Sequence, residues 1–254
     1  MIIDGNTIAE DIYAQLSASR SLTLGIVVGA SNPVTNSFVR IKEKAADRLG
    51  VSLVRSELGH EATTADAIAA IAALSHNVDG LIVQLPLPSG IDTDSALAAI
   101  PPGKDVDGIS KNPIVRPPVA EAVGEILIRA GIDPRGKRAV VVGSGRLVGM
   151  PAAALLANLG ADVHIITLGD SLTPLSQADI IVSGAGQPGL IQPENIKDGA
   201  VLIDAGTSES EGKVAGDADP SCAAKASVFT PVPGGVGPIA VAMIFKNLFE
   251  LANK

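Results

Sequence analysis

The sequence predicts an α/β protein made of two parallel-sheet domains, and three observations lead there. Short runs of apolar, β-branched residues recur along the chain, several with almost no polar member, as strands covered on both faces require. Helical patterns alternate with these runs, which makes successive strands parallel. One longer amphipathic stretch in the middle divides a first series of strand–helix pairs from a second.

The first series opens with "LTLGIVVG" (Leu22 to Gly29), followed by a helix over 35–49. "VSLVRSEL" precedes an Ala-rich helix over 64–74, and "DGLIVQL" precedes a short helix near 93–100. The run "GLIVQ" stops on an amide, Gln84, and Pro86 and Pro88 beyond it cannot continue a central strand. In "PPVAEAVGEILIRAGIDPRGK" the helical spacing of Val119, Val123, Ile126 and Leu127 starts at a proline and ends at Gly131. This helix joins the domains. The second series is "RAVVVG", "VHIIT", "DIIVSGAG" and "AVLIDAG", four runs that look buried on both faces. "TPVPGGVGP", with three prolines and three glycines in nine residues, is denser than a strand-to-helix turn needs and reads as a shaped functional loop. A last helix follows over 239–252. The expected division is 1–116 plus 238–254 for one domain and 117–237 for the other.

Composition narrows the function. With 46% apolar and 18% charged residues, the 254-residue chain is globular and long enough for two small domains. No apolar run reaches membrane-spanning length, and charges come too early at the N-terminus for a signal peptide, so a soluble cytoplasmic protein with no membrane partner is expected. The single Cys222 fits a reducing compartment, and three scattered histidines give no metal-ligand spacing. A net charge of -8 argues against nucleic acid as a partner.

Candidate chemistry lies in three places. Gly143, Gly145 and Gly149 form G-x-G-x-x-x-G between a strand and a helix, one residue longer than the usual dinucleotide fingerprint. Glycine admits a pyrophosphate close to the backbone and the helix N-terminus offers free N–H groups, so a Rossmann-like dinucleotide-binding domain is favoured over a structural turn. The next strand ends at Ile166 to Gly169 without an acid for a ribose hydroxyl, Asp170 lies just beyond, and Arg146 suits a 2′-phosphate. NADP is therefore favoured over NAD. In "SFVRIKEKAADRLG", Lys42 falls within an apolar stripe of Phe38, Ile41, Ala45 and Leu49. Two readings stand: a lysine that snorkels to water, or one held dry with a lowered pKa for proton transfer. In "KDVDG", Asp105 and Asp107 are either solvated turn formers or acceptors for an aminopyrimidinone edge. Gln84 has the same ambiguity, at the better address of a strand's carboxyl end.

Together these segments resemble the bifunctional methylenetetrahydrofolate dehydrogenase/cyclohydrolase family. "FVRIKEKA" is similar to that family's Tyr-Val-x-x-Lys-x-Lys-Ala helix, and "GLIVQLPLP", "KDVDG", "VVGSGRLVGMP" and "TPVPGGVGP" follow in the family's order. The resemblance implies a cleft between the domains, tetrahydrofolate derivatives as substrates, NADP as cofactor and a homodimer. It implies Lys42 and Gln84 as catalytic residues, and Phe38, Asp107, Pro233, Gly234 and Gly235 as substrate-binding residues. It implies Gly143, Ser144, Gly145, Arg146, Val148, Gly149, Thr167, Ala185 and Gly186 for the cofactor. Three departures stand out: Phe38 replaces the family tyrosine, Gly143-Ser144-Gly145 replaces Gly-Arg-Ser, and Thr167-Leu168 replaces a His-Ser pair.

Overall fold

The structure is a computed structural model that describes residues 1–29, 33–210 and 213–253, with the side chains of residues 33–38, 209, 210 and 213 outside the described set. It divides into two compact units, Asp11–Pro118 with Val241–Lys254 (the first) and Met1–Glu10 with Val119–Ala240 (the second). In chain order the first half holds α1 (Gly5–Tyr13), β1 (Thr23–Val28), α2 (Pro33–Leu49), β2 (Ser52–Glu57), α3 (Thr64–Ser75), β3 (Gly80–Gln84) and α4 (Thr93–Ala98). After them come α5 (Pro118–Arg129), β4 (Arg138–Val142), α6 (Gly149–Asn158), β5 (Asp162–Ile166), β6 (Ile180–Ser183) and β7 (Val201–Asp204). The chain closes with β8 (Ser208–Ser210), β9 (Lys213–Ala215), β10 (Val228–Phe229) and α7 (Val236–Ala252).

In the first unit β1 is the centre of a parallel sheet, order β2-β1-β3. Alternate side chains face opposite layers, as strand geometry dictates. Leu24, Ile26, Val28 and Ile82 pack with Val39 and Ala46 of α2 and Phe245 and Leu248 of α7. Val27, Leu81 and Val83 pack with Ala67, Ile71 and Leu74 of α3 and Leu97 of α4. The parallel register pairs Val28 with Gln84, so the glutamine ends its strand at the sheet's carboxyl edge.

The second unit holds a five-stranded parallel sheet, order β10-β7-β6-β4-β5. From β4 the chain goes out to β5 and then returns to the other side as β6, so the sheet's switch point lies between β4 and β6. α6 covers β4, β5 and β6. The opposite face packs Val140, Val142, Ile181 and Leu202 against Leu175, Ile191 and Cys222.

Two expectations need correction. Ile41 is not part of the buried stripe of α2, being 47% exposed; the inward face is Val39, Lys42, Ala45 and Ala46, a small rotation from the predicted one. β5 is not covered on both faces, because it is the sheet edge and Asp162 and His164 stand in solvent. Residues 1–10 make their contacts in the second unit. The cause is the open edge beyond β10: Ile2 pairs parallel with Phe229, Ile3 N–H donates to Phe229 O at 2.9 Å, and Gly5 N–H donates to Gly234 O at 2.8 Å.

Candidate functional site

In the first unit, α2 and β3 bring Lys42 and Gln84 together. Lys42 is 8% exposed, and its Nζ donates to Gln84 Oε1 at 2.8 Å. Gln84 Nε2 donates to Leu85 O at 3.0 Å, which fixes the amide with its oxygen toward the lysine. Burial pushes the Lys42 pKa below its ordinary value, and the charge of Asp107 pulls it back up. Of the two readings open on the sequence, the dry lysine holds.

Asp107 lies half-buried in the loop after α4. Desolvation pushes its carboxyl up to about 6; Lys42 opposes that shift and Asp105 adds to it. The loop is firmly built. Leu81 of β3 bridges to Asp105, Asp105 Oδ2 accepts from Ser110 N–H at 2.7 Å, and Gly108 sits at φ +62° where a Cβ would press on Val115 O. From α7, buried Asn247 donates through Nδ2 to Val106 O at 2.9 Å and Arg116 O at 3.0 Å. The first unit thus holds a buried lysine with lowered basicity, an amide that fixes it and a nearby carboxyl with raised pKa. The Phe38 side chain lies outside the described set.

In the second unit, the glycine loop leaves β4 at the switch point. Gly143 has φ +96° and a Cβ there would meet Gly184 O at 2.8 Å, while a Cβ on Gly149 would overlap the Gly143 carbonyl. These two glycines are demanded by packing. Gly145 has nothing within 4 Å of a Cβ position, and Ser144, Gly145 and Arg146 are exposed. Gly145 thus leaves open space beside the start of α6, as a dinucleotide phosphate needs. Val148 is the residue before α6 and packs toward Gly184. Ala185 and Gly186 are exposed in the loop after β6. Thr167 directly follows β5 and donates through N–H (2.7 Å) and Oγ (2.9 Å) to Asp170 Oδ2. Pro233, Gly234 and Gly235 also belong to this unit, and a Cβ on Gly5 would overlap the Gly235 carbonyl.

The model of the tetrahydrofolate dehydrogenase/cyclohydrolase catalytic domain matches residues 3–107, and that of its NAD(P)-binding domain matches 117–254. The chain belongs to this family. A relative, bifunctional protein FolD of Wolinella succinogenes, is 38% identical over 277 aligned positions, covering 99% of this chain and 96% of its own. The FolD dehydrogenase/cyclohydrolase crystal structure from Campylobacter jejuni superposes with a TM-score of 0.93 at 32% identity, covering 100% of this chain and 98% of its own. FolD of Trypanosoma brucei, solved in complex with NADP cofactor and inhibitor, gives a TM-score of 0.93 at 34% identity, covering 100% and 97%. The two-domain α/β architecture and the NAD(P)-binding character of the second domain are properties of the family. Among the described residues no helix is long and apolar enough to cross a membrane.

Sequence reasoning missed Asn247, which hides in the apolar helix "AMIFKNLFELA", where one amide looks like an exposed-face residue. It also missed Asp204 and Asp217, both essentially inaccessible to solvent: Asp204 lies within "AVLIDAG", read only as a strand, and Asp217 lies in "AGDAD", which carries no apolar pattern. Two aspartates that both flank glycine-bearing segments were the available signal.

Proposed function

We propose that Lys42, oriented by Gln84 and tuned by Asp107, moves the proton in the hydrolytic half of the family's two reactions. The protein oxidises 5,10-methylenetetrahydrofolate to the 5,10-methenyl cation and hydrolyses that cation to 10-formyltetrahydrofolate. The observation that carries this is the 2.8 Å bond from a buried ammonium to a fixed amide oxygen.

The hydrolysis balances on these residues. Water adds to the amidinium carbon and gives one proton to neutral Lys42. A second proton passes from the new hydroxyl to N5 as the C–N5 bond breaks, so the net reaction releases one proton. Burial lowers the Lys42 pKa and so favours the neutral form that general-base action needs. Asp107 anchors the pterin, and Gln84 holds the ammonium away from unproductive rotamers. Phe38, Pro233, Gly234 and Gly235 complete the substrate contacts on this reading.

Bound NADP supplies the hydride acceptor for the oxidation. Gly143, Ser144, Gly145, Arg146, Val148, Gly149, Thr167, Ala185 and Gly186 would hold it, with Arg146 near the 2′-phosphate. Supporting this are the open space at Gly145, the NADP complex of the Trypanosoma brucei relative, and an Asp170 whose Oδ2 is taken by Thr167. Homodimer formation and a cytoplasmic location belong to the same proposal, and light scattering of the purified protein tests the first.

Two spectrophotometric assays decide the assignment: oxidation of methylenetetrahydrofolate with NADP or NAD, and hydrolysis of methenyltetrahydrofolate without dinucleotide. Lys42→Ala should abolish hydrolysis while the protein stays folded; full retention would overturn the assignment. Phe38 in place of the family tyrosine favours one second reading, a dehydrogenase with weak hydrolysis. Accumulation of the methenyl product by the wild type would select it.

A further inference from the structure

The loop after β6 carries Gly184, Ala185 and Gly186, and a residue some thirty positions later holds it in place. Asp217 is 0% exposed. Its Oδ2 accepts from Ser183 Oγ at 2.6 Å and from Ala185 N–H at 2.7 Å, and its Oδ1 accepts from Gln187 N–H at 2.7 Å. Three donors from five consecutive residues converge on one carboxylate. Hydrogen bonds to an ionised acceptor are the strong ones, and a water-excluded setting strengthens them further.

Asp217 is itself fixed. Ala218 N–H donates to Asp204 Oδ2 at 2.8 Å, and Ile191 N–H donates to Asp217 O at 2.9 Å. Asp204 ends β7, and its Oδ1 accepts from Gly206 N–H at 2.9 Å. There is no spare room: a Cβ on Gly206 would overlap the Asp217 carboxylate, and one on Gly216 would overlap the Asp204 carboxylate. Two buried carboxylates thus lace the carboxyl ends of β6 and β7 to the segment 216–218.

We propose that Asp217 is a positioning residue for the dinucleotide, fixing the Gly184–Gly186 loop at the switch point between β4 and β6. This rests on the assignment of that loop to the cofactor made above. The loop has reason to need an anchor, since its exposed residues include a glycine at φ +67°, Gly186, that adds backbone freedom. A carboxylate suits the task and an amide does not. Asparagine in the same place offers one acceptor oxygen and turns an NH2 toward an N–H, so it loses bonds and sets donor against donor.

The test uses Asp217→Asn and Ser183→Ala in the full-length protein. Calorimetric titration with NADP, hydrolysis of methenyltetrahydrofolate without dinucleotide, and amide hydrogen exchange over residues 184–187 are measured together. We expect the NADP Kd to rise about tenfold or more in Asp217→Asn and by a smaller factor in Ser183→Ala, as loss of charged and single hydrogen bonds implies. Exchange over 184–187 should quicken while the hydrolytic kcat stays within about twofold of wild type, since one folded unit loosens locally. Unchanged NADP affinity in folded Asp217→Asn would overturn the proposal, as would a parallel loss of affinity and hydrolysis. If Asp217→Asn does not fold, Ser183→Ala decides by the same criteria. A wild type that binds neither NADP nor NAD would overturn the cofactor assignment and the proposal with it; a wild type that binds beside a variant that binds equally overturns the proposal alone.

Discussion

Lys42 Nζ lies 2.8 Å from Gln84 Oε1, a bond between a helix and the last residue of the strand it covers. Both partners are more than nine-tenths buried, so each depends on the other: the ammonium needs an acceptor out of water, and the amide oxygen needs a donor.

Replacing Gln84 by Ala should therefore lower the hydrolytic kcat by about tenfold to a hundredfold, a part of what general-base catalysis contributes. Oxidation should fall less. Gln84→Glu separates positioning from charge, because an ionised partner raises the Lys42 pKa and moves the acid limb of the hydrolysis profile to higher pH. Identical profiles for wild type and Gln84→Glu would contradict a direct contact between a working Lys42 and residue 84.

Asp107 acts on the same lysine from the other side. Its charge raises the Lys42 pKa against the lowering by burial. Asp107→Asn should thus move the acid limb of the hydrolytic kcat to lower pH, opposite to Gln84→Glu, while raising the folate KM. The measurement is kcat against pH at saturating methenyltetrahydrofolate. A limb that moves upward would mean that Lys42 is not the titrating base.

Buried carboxyls also write a signature into stability. Desolvation pushes Asp204 up to about 6 from an ordinary 3.8, with the Asp217 charge adding to it and backbone donors opposing it. The raised pKa means that the folded state favours the protonated form. Its stabilising contribution is complete below 3.8 and is lost as pH rises through about 6. For a side chain 1% exposed, that swing is on the order of 3 kcal/mol. Asp107 is shifted up to the same region and acts in the same sense. Melting temperatures at pH 5 and pH 7 should differ less for Asp204→Asn than for wild type; an equal difference would count against the shift.

Much of this was legible in the sequence because burial on both faces leaves a plain mark. β3 and β4 read as apolar runs, and Lys42 stood out against the apolar residues around it. The phase of α2 was harder. With Phe38, Val39, Ile41, Ala45 and Ala46 all apolar, two neighbouring helix faces fit equally well, and Ile41 turned out to face solvent. The carboxylates were illegible for a different reason. Asp217 meets backbone N–H groups some thirty residues before it and Asp204 meets one 14 residues after it, separations that no local pattern encodes. The pairing of Ile2 and Ile3 with β10 is likewise a long-range event, since it needs a sheet edge built by the other end of the chain.

Asn247 gives a prediction of stability coupled to binding. Its Nδ2 satisfies two carbonyls of the segment that carries Asp107, from a position 4% exposed. Asn247→Ala should cost about 2–3 kcal/mol, the penalty for leaving buried acceptors unpaired. Because the freed segment holds Asp107, the folate KM should rise while NADP affinity stays unchanged. Urea titration and the two binding measurements check this, and a stability loss with no change in folate KM would limit Asn247 to a packing role.

The glycines of the cofactor loop differ in what they are for, and one pair of variants exposes the difference. A Cβ on Gly149 would overlap the Gly143 carbonyl, a backbone group at the junction of β4 and α6 that cannot swing aside. Gly149→Ala should lower the melting temperature markedly, because close approach of two backbones leaves no volume for a methyl group. Gly145 has open space around its Cβ position and no positive φ, so Gly145→Ala should fold with unchanged melting temperature. If that space receives a pyrophosphate, the added methyl stands where the ligand's oxygens approach the backbone. NADP affinity of Gly145→Ala should then fall by about tenfold, a loss near 1.4 kcal/mol, while hydrolysis of methenyltetrahydrofolate is untouched. Thermal melts, NADP titration and the hydrolytic assay on the two variants separate the roles. Unchanged NADP affinity in Gly145→Ala would place the phosphates elsewhere along the strand ends.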